Sequence, residues 1–309
     1  MSYSKFSRRN DGVGFVNLSR RLVADYGELS RPLDFAFNCV MSRIFRQLDR
    51  SVVRVAGEGG VHFLNGLCSQ DLTKFANSAF TCFLNAQGRV LFDAIVHKAP
   101  NELLLDVHAS LADKVVLLLQ RHRLRLPIVI EQAKDLQVST AEGSSFFDDP
   151  RFPGLPRRAI EMVNNHPDGT AWFRAKRIAA GVPEGPEEFP ADSALPLNMN
   201  LDLLNGVSFS KGCYVGQEMT TRTFRRGVIR RRVFILKSDE ALGLDEVQCQ
   251  GEPVGKVIAV EGGVSLAQLH TRQGDALNEA KKAAELISAM GPVTVAGKVA
   301  SIIIPDYFR

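Results

Sequence analysis

The alternation of apolar and polar positions predicts short strands over the first half of the chain. Residues 51–55 are β-branched and lead into a glycine-rich turn, and residues 79–84, 90–96 and 102–107 have the composition of further strands. The segment 85–88 between the first two of these reads Asn-Ala-Gln-Gly, which is typical of a tight turn. We therefore expect an antiparallel hairpin with a neighbouring strand.

Helical spacing of apolar residues predicts helices over residues 61–72, 111–124, 171–180 and 275–290. Pro127 closes the second of these before a strand at 128–131, and Gly181 suits the C-terminal cap of the third. Beyond Gly227 the pattern changes to short strands. They cover residues 231–236, 254–260, 264–268, 293–299 and 302–304. This pattern predicts a small antiparallel β-barrel or sandwich with one helix, and an α+β fold overall.

A chain of 309 residues exceeds the length of roughly 250 residues at which a single core usually divides. We predict a loose N-terminal arm over residues 1–35 and a central region over 36–226. The central region comprises two interleaved subdomains with a connector near 148–156, where Pro, Gly and Asp are frequent. Residues 227–309 form the predicted barrel subdomain.

Composition narrows the class of protein. Apolar residues make up 45% and charged residues 23% of the chain, as in globular proteins that stay in water, and no apolar run approaches the roughly 20 residues that cross a bilayer. The five cysteines include no C-x-x-C pair, which favours a reducing compartment over disulfides or zinc. Residues 1–10 are basic and serine-rich, which fits either an organelle transit peptide or a solvated terminus.

Residues 220–236 contain no acid and an unusual density of arginines, so we expect one local surface to attract anions. The run consists of Arg222, Arg225, Arg226, Arg230, Arg231 and Arg232, of which the first four are the candidate anion patch.

The most informative segment reads Lys-Gly-Cys-Tyr-Val-Gly-Gln-Glu over residues 211–218. Positive potential from Lys211 and the arginine run would favour the thiolate of Cys213. A thiolate binds iron or copper(I) and attacks electrophiles, whereas an isolated cysteine is more often a small buried filler. Gly212 and Gly216 suit turn geometry, and Gln217 and Glu218 are candidates to hold that turn by hydrogen bonds. Tyr214 completes the motif.

This segment matches the K-G-C-[FY]-x-G-Q-E signature of the YgfZ-type folate-binding proteins, a branch of the aminomethyltransferase superfamily. The resemblance extends to residues 63–67, 83–93, 177–185 and 195–197 and so covers most of residues 40–260. The segment around Cys213 and the closing Pro305-Asp306-Tyr307-Phe308 resemble the eukaryotic mitochondrial members more than the bacterial ones.

The resemblance implies an aminomethyltransferase-like folate-binding fold and a role in maturing [4Fe-4S] proteins. It implies a mitochondrial matrix location, with a bacterial-type cytoplasm as the alternative. A-type iron–sulfur carrier proteins are the implied partners, with which the otherwise monomeric chain forms a heterodimer and shares a cluster bound by Cys213. Tetrahydrofolate is the implied small molecule. Its candidate ligands are Asn85, Asp93, Arg177 and Asn200.

Three departures from the aminomethyltransferases argue against catalysis of aminomethyl transfer. Where those enzymes have two adjacent aspartates this chain has Phe92-Asp93, their pterin-binding glutamate is replaced by Ala179, and Cys213 stands where they tend to have an acid. Two alternatives stay open: folate-dependent one-carbon transfer using Asp93, and RNA binding by the arginine run. The second is less favoured, because only Phe224 and Phe234 are interleaved with the arginines.

Overall fold

The structure is a computed structural model that describes residues 43–143 and 146–309. The described residues belong to one compact unit, Met41–Arg309. The predicted N-terminal arm and the possible transit peptide lie outside the described residues. No helix in the described ranges is both long enough and apolar enough to span a membrane.

The described chain alternates short strands with short helices. The strands are β1 Ile44–Arg46, β2 Arg50–Ala56, β3 Ser78–Leu84, β4 Val90–Ala99, β5 Glu102–His108, β6 Val129–Gln132, β7 Leu136–Ala141, β8 Arg157–Met162, β9 Arg232–Lys237, β10 Glu246–Cys249, β11 Glu252–Glu261, β12 Val264–Leu269, β13 Val293–Val295 and β14 Lys298–Ile303. The α-helices are α1 Gly60–Asn65, α2 Ala112–Arg123, α3 Thr170–Ala179, α4 Gln217–Arg226 and α5 Ala280–Ser288.

A five-stranded antiparallel sheet, in the order β3-β4-β5-β2-β6, forms the first layer of the fold. Its strands carry apolar side chains on both faces because each face is covered. On one face, Val115 and Leu119 of α2 pack against Val53 and Leu105 of the central strands. The other face contributes Ile95 to a second core, which also receives side chains from α3 and the C-terminal strands.

A three-stranded antiparallel sheet, in the order β1-β7-β8, lies beside the first sheet. Val138 of β7 stands opposite Ile160 of β8 and packs with Val52 and Leu104 of the first sheet. The two sheets therefore share a small apolar core.

The C-terminal strands close into a six-stranded antiparallel barrel in the order β10-β11-β12-β9-β14-β13. Phe234, Leu269 and Val295 fill its interior, and α5 covers part of it with Ala283 and Ile287. Closure removes the exposed edges that an open sheet of these short strands would present. The predicted α+β fold with a C-terminal antiparallel barrel is confirmed, whereas the exact subdomain boundaries stay a prediction.

Several element boundaries were wrong. The strand predicted over 293–299 is a hairpin that turns at Ala296-Gly297, and the last helix begins at Ala280 instead of residue 275. Helix α1 ends at Asn65 instead of continuing to residue 72. No element was predicted over 217–226, where α4 lies, because its only buried residue is Thr220 and an apolar stripe is missing.

Candidate functional site

Lys211 anchors the loop that carries the cysteine motif. Its ammonium donates hydrogen bonds to the backbone oxygens of Asn65, Cys68 and Gln70 at 2.7, 2.8 and 2.8 Å, which matches the three donors of a lysine. The ammonium also lies 5.0 Å from the centre of the Tyr214 ring. Burial lowers the pKa of Lys211. Lys211 thus binds the last residue of α1 and two carbonyls of the segment that follows this helix.

We call residues 211–216 the cysteine loop. The Tyr214 side chain is buried in the second core, and its backbone N–H donates to the Gln217 side chain at 3.2 Å. Gly216 has φ +78°, and an added Cβ would lie 2.4 Å from the backbone oxygen of Asn85. Conversely, a Cβ on Gly88 would lie 3.1 Å from the backbone oxygen of Gly216. The loop is therefore fixed against the turn between β3 and β4.

Cys213 is exposed on this anchored loop. An added Cβ on the preceding Gly212 would meet no atom within 4 Å. Of the other described cysteines, Cys68, Cys82 and Cys249 are buried, and burial raises the pKa of Cys82 to about 12. Cys39 lies outside the described residues. Exposure argues against the interpretation of Cys213 as a buried filler, and it leaves the thiol open to a metal ion or a partner.

A groove of about 1040 Å³ lies between the cysteine loop and α4. Phe209 stacks on Phe224 of α4 with their ring centres 3.6 Å apart. The groove is lined by Phe209, Lys211, Gln217, Glu218, Thr221, Arg222, Arg225, Arg226 and Gly227. Groove residues thus flank Cys213 on both sides in sequence, and the only carboxylate among them is that of Glu218.

The arginine run divides into exposed and buried members. Arg232 is buried and pairs with both carboxylate oxygens of Asp202 at 2.6 and 2.9 Å. The expectation that Arg232 joins the anion-attracting surface is therefore wrong, because its charge is neutralised inside the protein. The other members are exposed: Arg222, Arg225, Arg226, Arg230 and Arg231.

Two candidate folate ligands are engaged with the protein backbone. The Asn85 side chain accepts from the N–H groups of Gln87 and Arg89, both at 2.9 Å, and so holds its own turn. The fully buried Asn200 side chain donates to the Val233 oxygen at 2.7 Å and accepts from the Val233 N–H at 3.2 Å. Both amides therefore have structural partners, and neither lies in the groove.

The other two candidates, Asp93 and Arg177, belong to a buried ion cluster. Glu184 is central to it, with its carboxylate 3.4 Å from Arg50, in contact with Arg151 and 4.0 Å from Arg177. Its members are Arg50, Arg151, Arg158, Arg177, Asp93, Asp106, Asp149, Glu184 and Glu188. The cluster thus contains four arginines and five acids, all of them buried.

Asp93 is the least satisfied member of the buried ion cluster. Its Oδ1 has no hydrogen-bond partner, and burial, reinforced by the Glu184 carboxylate, raises its pKa to about 7. The partly exposed Arg174 adds a further positive group, 3.1 Å from Glu188. Burial and the Glu184 carboxylate therefore favour the neutral form of Asp93 more than water favours that of a free aspartate.

These residues do not offer a set of free groups that fits a pterin. The guanidinium of Arg177 is bound by both oxygens of Glu188 at 2.8 Å, and Ala179 has no polar side-chain atom. Asp93 Oδ1 is the one orphaned polar atom among the four candidates. Folate binding through this set stays a prediction, and we derive no chemical step from it.

Sequence reasoning missed the buried ion cluster and the Phe209–Phe224 pair. The acids and arginines of the cluster come from β2, β4, β5, β8, α3 and connecting segments, so no local pattern announces them. One local signal was present: Glu184 and Glu188 are four residues apart in a proline-rich segment, and both face arginines.

Comparisons with known proteins give a consistent result. No family model matches this chain. The human protein named iron-sulfur cluster assembly factor IBA57, mitochondrial, is 32% identical, over 73% of this chain and 76% of its own. Its mouse counterpart is 31% identical, over 82% and 84%. A homologue from Phaeosphaeria nodorum is 30% identical, over 82% and 75%.

A solved structure shows the same fold. The crystal structure of glycine cleavage system aminomethyltransferase T from Bartonella henselae aligns with a TM-score of 0.65 at 14% identity, covering 87% of this chain and 86% of that one. At this identity the likeness concerns the fold. It agrees with the aminomethyltransferase-like architecture expected from the sequence.

Proposed function

This chain belongs to the IBA57 family of mitochondrial iron–sulfur cluster assembly factors, and on that premise we propose that Cys213 is its ligand to a cluster shared with a carrier protein. The exposure of Cys213 on a loop anchored at both ends carries this proposal. The cluster is cargo, and the proposed pathway is the maturation of [4Fe-4S] proteins in the mitochondrial matrix.

The number of available ligands supports a shared cluster. Iron–sulfur clusters are commonly held by four cysteine thiolates. Within residues 43–143 and 146–309, Cys213 is the one exposed cysteine, and no group of three or more His, Cys, Asp or Glu side chains has metal-binding geometry. We therefore propose that the remaining ligands come from a second molecule, an A-type iron–sulfur carrier protein in a heterodimer.

The cysteine loop gives the thiol a fixed position without enclosing it. Lys211 holds the N-terminal side of the loop, and Gly216 seats the C-terminal side against the turn at Asn85. A preorganised ligand loses less conformational entropy on binding, while an open one can be approached and released by a partner. Metal binding displaces the thiol proton, because the thiolate is the form that coordinates iron.

The test is anaerobic reconstitution with iron, sulfide and an A-type carrier, followed by visible absorption and size-exclusion mass. We expect a coloured heterodimer with the wild-type protein and none with Cys213→Ser. As a matched control, Cys213→Ser combined with Ser210→Cys returns an exposed thiol to the same segment three positions away, and we expect no recovery. An unchanged cluster in Cys213→Ser contradicts the proposal.

A second candidate, folate-dependent one-carbon transfer, has one observation in its favour. Asp93 has a buried, unpartnered oxygen and a pKa raised to about 7, which suits proton transfer at neutral pH. Turnover of a one-carbon-loaded tetrahydrofolate that disappears in Asp93→Asn would support this function. No turnover at saturating folate would contradict it.

A further inference from the structure

Five exposed arginines lie within ten residues of one another in sequence, and three of them, Arg222, Arg225 and Arg226, line the groove beside the cysteine loop. We call these five residues, Arg222, Arg225, Arg226, Arg230 and Arg231, the arginine face. In the part of the chain that the structure describes, none of the five has a carboxylate oxygen within 4.0 Å. Some other exposed arginines are paired: Arg272 lies 3.0 Å from Glu252, and Arg157 lies 2.9 Å from Asp148. Arg121 and Arg125 are exposed without such a partner among the described residues but do not line the groove, which makes them suitable controls.

Apolar side chains are interleaved with the arginine face. Met219 is 39% exposed, Phe224 44% and Val228 49%, although each has an apolar side chain. Arginine, methionine and aromatic residues are the types enriched at protein–protein interfaces. The composition therefore fits a surface that another protein covers.

The aromatic geometry favours a protein over a nucleic acid. Single-stranded nucleic acids are bound by aromatic rings on which successive bases stack. One face of the Phe224 ring is already covered by Phe209 at 3.6 Å, and Phe234 is buried in the barrel. The arginine face therefore has positive charge without a row of free stacking rings.

The arginine face adjoins the thiol. Arg222, Arg225 and Arg226 line one side of the groove, and Lys211 of the cysteine loop lines the same groove two residues before Cys213. A partner seated on α4 would therefore extend toward the exposed thiol. The charge of Lys211 is engaged by three backbone oxygens, so the arginines supply the free positive charge of the groove.

We propose that the arginine face is the docking surface for the cluster carrier, through a carboxylate-rich patch with an apolar centre on that partner. This inference rests on the proposed function, because it assigns the docking site of the same shared-cluster complex. Five unneutralised charges steer a partner of opposite charge at long range, and that effect is largest on the association rate and at low salt. Docking by this face precedes ligation and does not need the cluster.

The test measures the association rate of the full-length protein with an apo A-type carrier, without iron, at low and high salt. The variant carries Arg222→Glu, Arg225→Glu and Arg226→Glu. The matched control carries Lys114→Glu, Arg121→Glu and Arg125→Glu, which are exposed on and after α2 and make the same change of charge. Far-ultraviolet circular dichroism checks that both variants are folded.

We expect the arginine-face variant to associate about tenfold more slowly or worse at low salt, with a shallower salt dependence than the wild type. The control should stay within about twofold, since none of its charges lines the groove. An equal loss in both variants, or none in either, overturns the proposal.

Two further measurements distinguish this docking site from the ligand assignment of Cys213 and from a nucleic-acid surface. If Cys213→Ser docks normally but forms no coloured complex, both the docking site and the ligand assignment are supported. If Cys213→Ser keeps the cluster while the arginine-face variant fails to dock, the docking site is supported and the ligand assignment is wrong. Single-stranded RNA is the second probe. Salt-dependent RNA binding lost in the arginine-face variant, with carrier association unchanged, overturns the proposal in favour of a nucleic-acid surface.

Discussion

The buried ion cluster and the arginine face use the same side chain in opposite ways. Inside, Arg50, Arg151, Arg158 and Arg177 are each matched by carboxylates and removed from solvent. On α4 the arginines remain exposed to water, and none has a carboxylate oxygen within 4.0 Å in the described structure. A buried charge requires a partner within the fold, whereas an exposed one does not, so only the second kind is free to meet another molecule.

The largest effect should follow from breaking the buried ion cluster. Glu184→Ala removes the carboxylate that faces Arg50, Arg151 and Arg177, and leaves these buried guanidinium groups without that partner. We expect the free energy of unfolding to fall by about 3–5 kcal/mol, measured by urea denaturation. Glu187→Ala is the control: this exposed carboxylate is 3.3 Å from Arg174, and its loss should cost less than about 1 kcal/mol. Similar losses of unfolding free energy in both variants would show that the buried and the exposed ion pairs contribute equally, against the comparison drawn above.

Gly216→Ala should have the next largest effect. The substitution places a Cβ at φ +78° and 2.4 Å from the Asn85 oxygen, so we expect a loss of about 1–3 kcal/mol in the free energy of unfolding. The shift of the cysteine loop should also change the rate at which an uncharged thiol reagent labels Cys213. Gly212→Ala, in open space on the same loop, should leave both quantities nearly unchanged.

The pH dependence of stability tests the protonation of Asp93. Its pKa is raised to about 7 in the folded protein, whereas an unfolded aspartate titrates near 4. Between these values the folded state holds a proton that the unfolded state has lost, so the free energy of unfolding falls as pH rises, by up to about 1.4 kcal/mol per pH unit. Asp93→Asn should remove this contribution. If the free energy of unfolding depends on pH in the same way in the wild type and the variant from pH 4 to 7, Asp93 does not titrate in this range.

The smallest effect on stability should come from the arginine face. Arg222→Ala, Arg225→Ala and Arg226→Ala remove exposed groups without carboxylate partners in the described structure, so each should change the free energy of unfolding by no more than about 0.5 kcal/mol. Thermal unfolding measures this directly. A large loss for any of the three would reveal a structural role and weaken the contrast with the buried ion cluster.

Local patterns predicted the elements with clear periodicity. The strands β3, β4 and β5, the helix α2 and the antiparallel barrel followed from alternation, apolar spacing and turn residues. Helix α4 did not, because Thr220 is its only buried residue and its stacking contact with Phe209 joins it to a residue outside the helix. The last residue of α1 is bound by Lys211, which lies far along the chain.

The candidate site was predictable only in part. The motif directed attention to Cys213, but its exposure and the engagement of Lys211 by three carbonyls depend on the folded loop. The burial of Arg232, in contrast to the exposed arginines beside it, was equally unpredictable, because its ion pair with Asp202 is a tertiary contact. Contacts between segments distant in sequence decide which charged groups are available.

The packing of the cysteine loop against the turn between β3 and β4 also limits which substitutions the chain can tolerate. Gly88 and Gly216 belong to two turns in close contact: a Cβ on Gly216 would lie 2.4 Å from the Asn85 oxygen, and one on Gly88 would lie 2.8 Å from Met219 Cβ of α4 and 3.1 Å from the Gly216 oxygen. Neither position can accommodate a side chain unless the opposing turn recedes, and a receding turn moves the thiol. Among relatives, substitutions can therefore accumulate on the rim around Cys213, while these two glycines should be inherited as a pair.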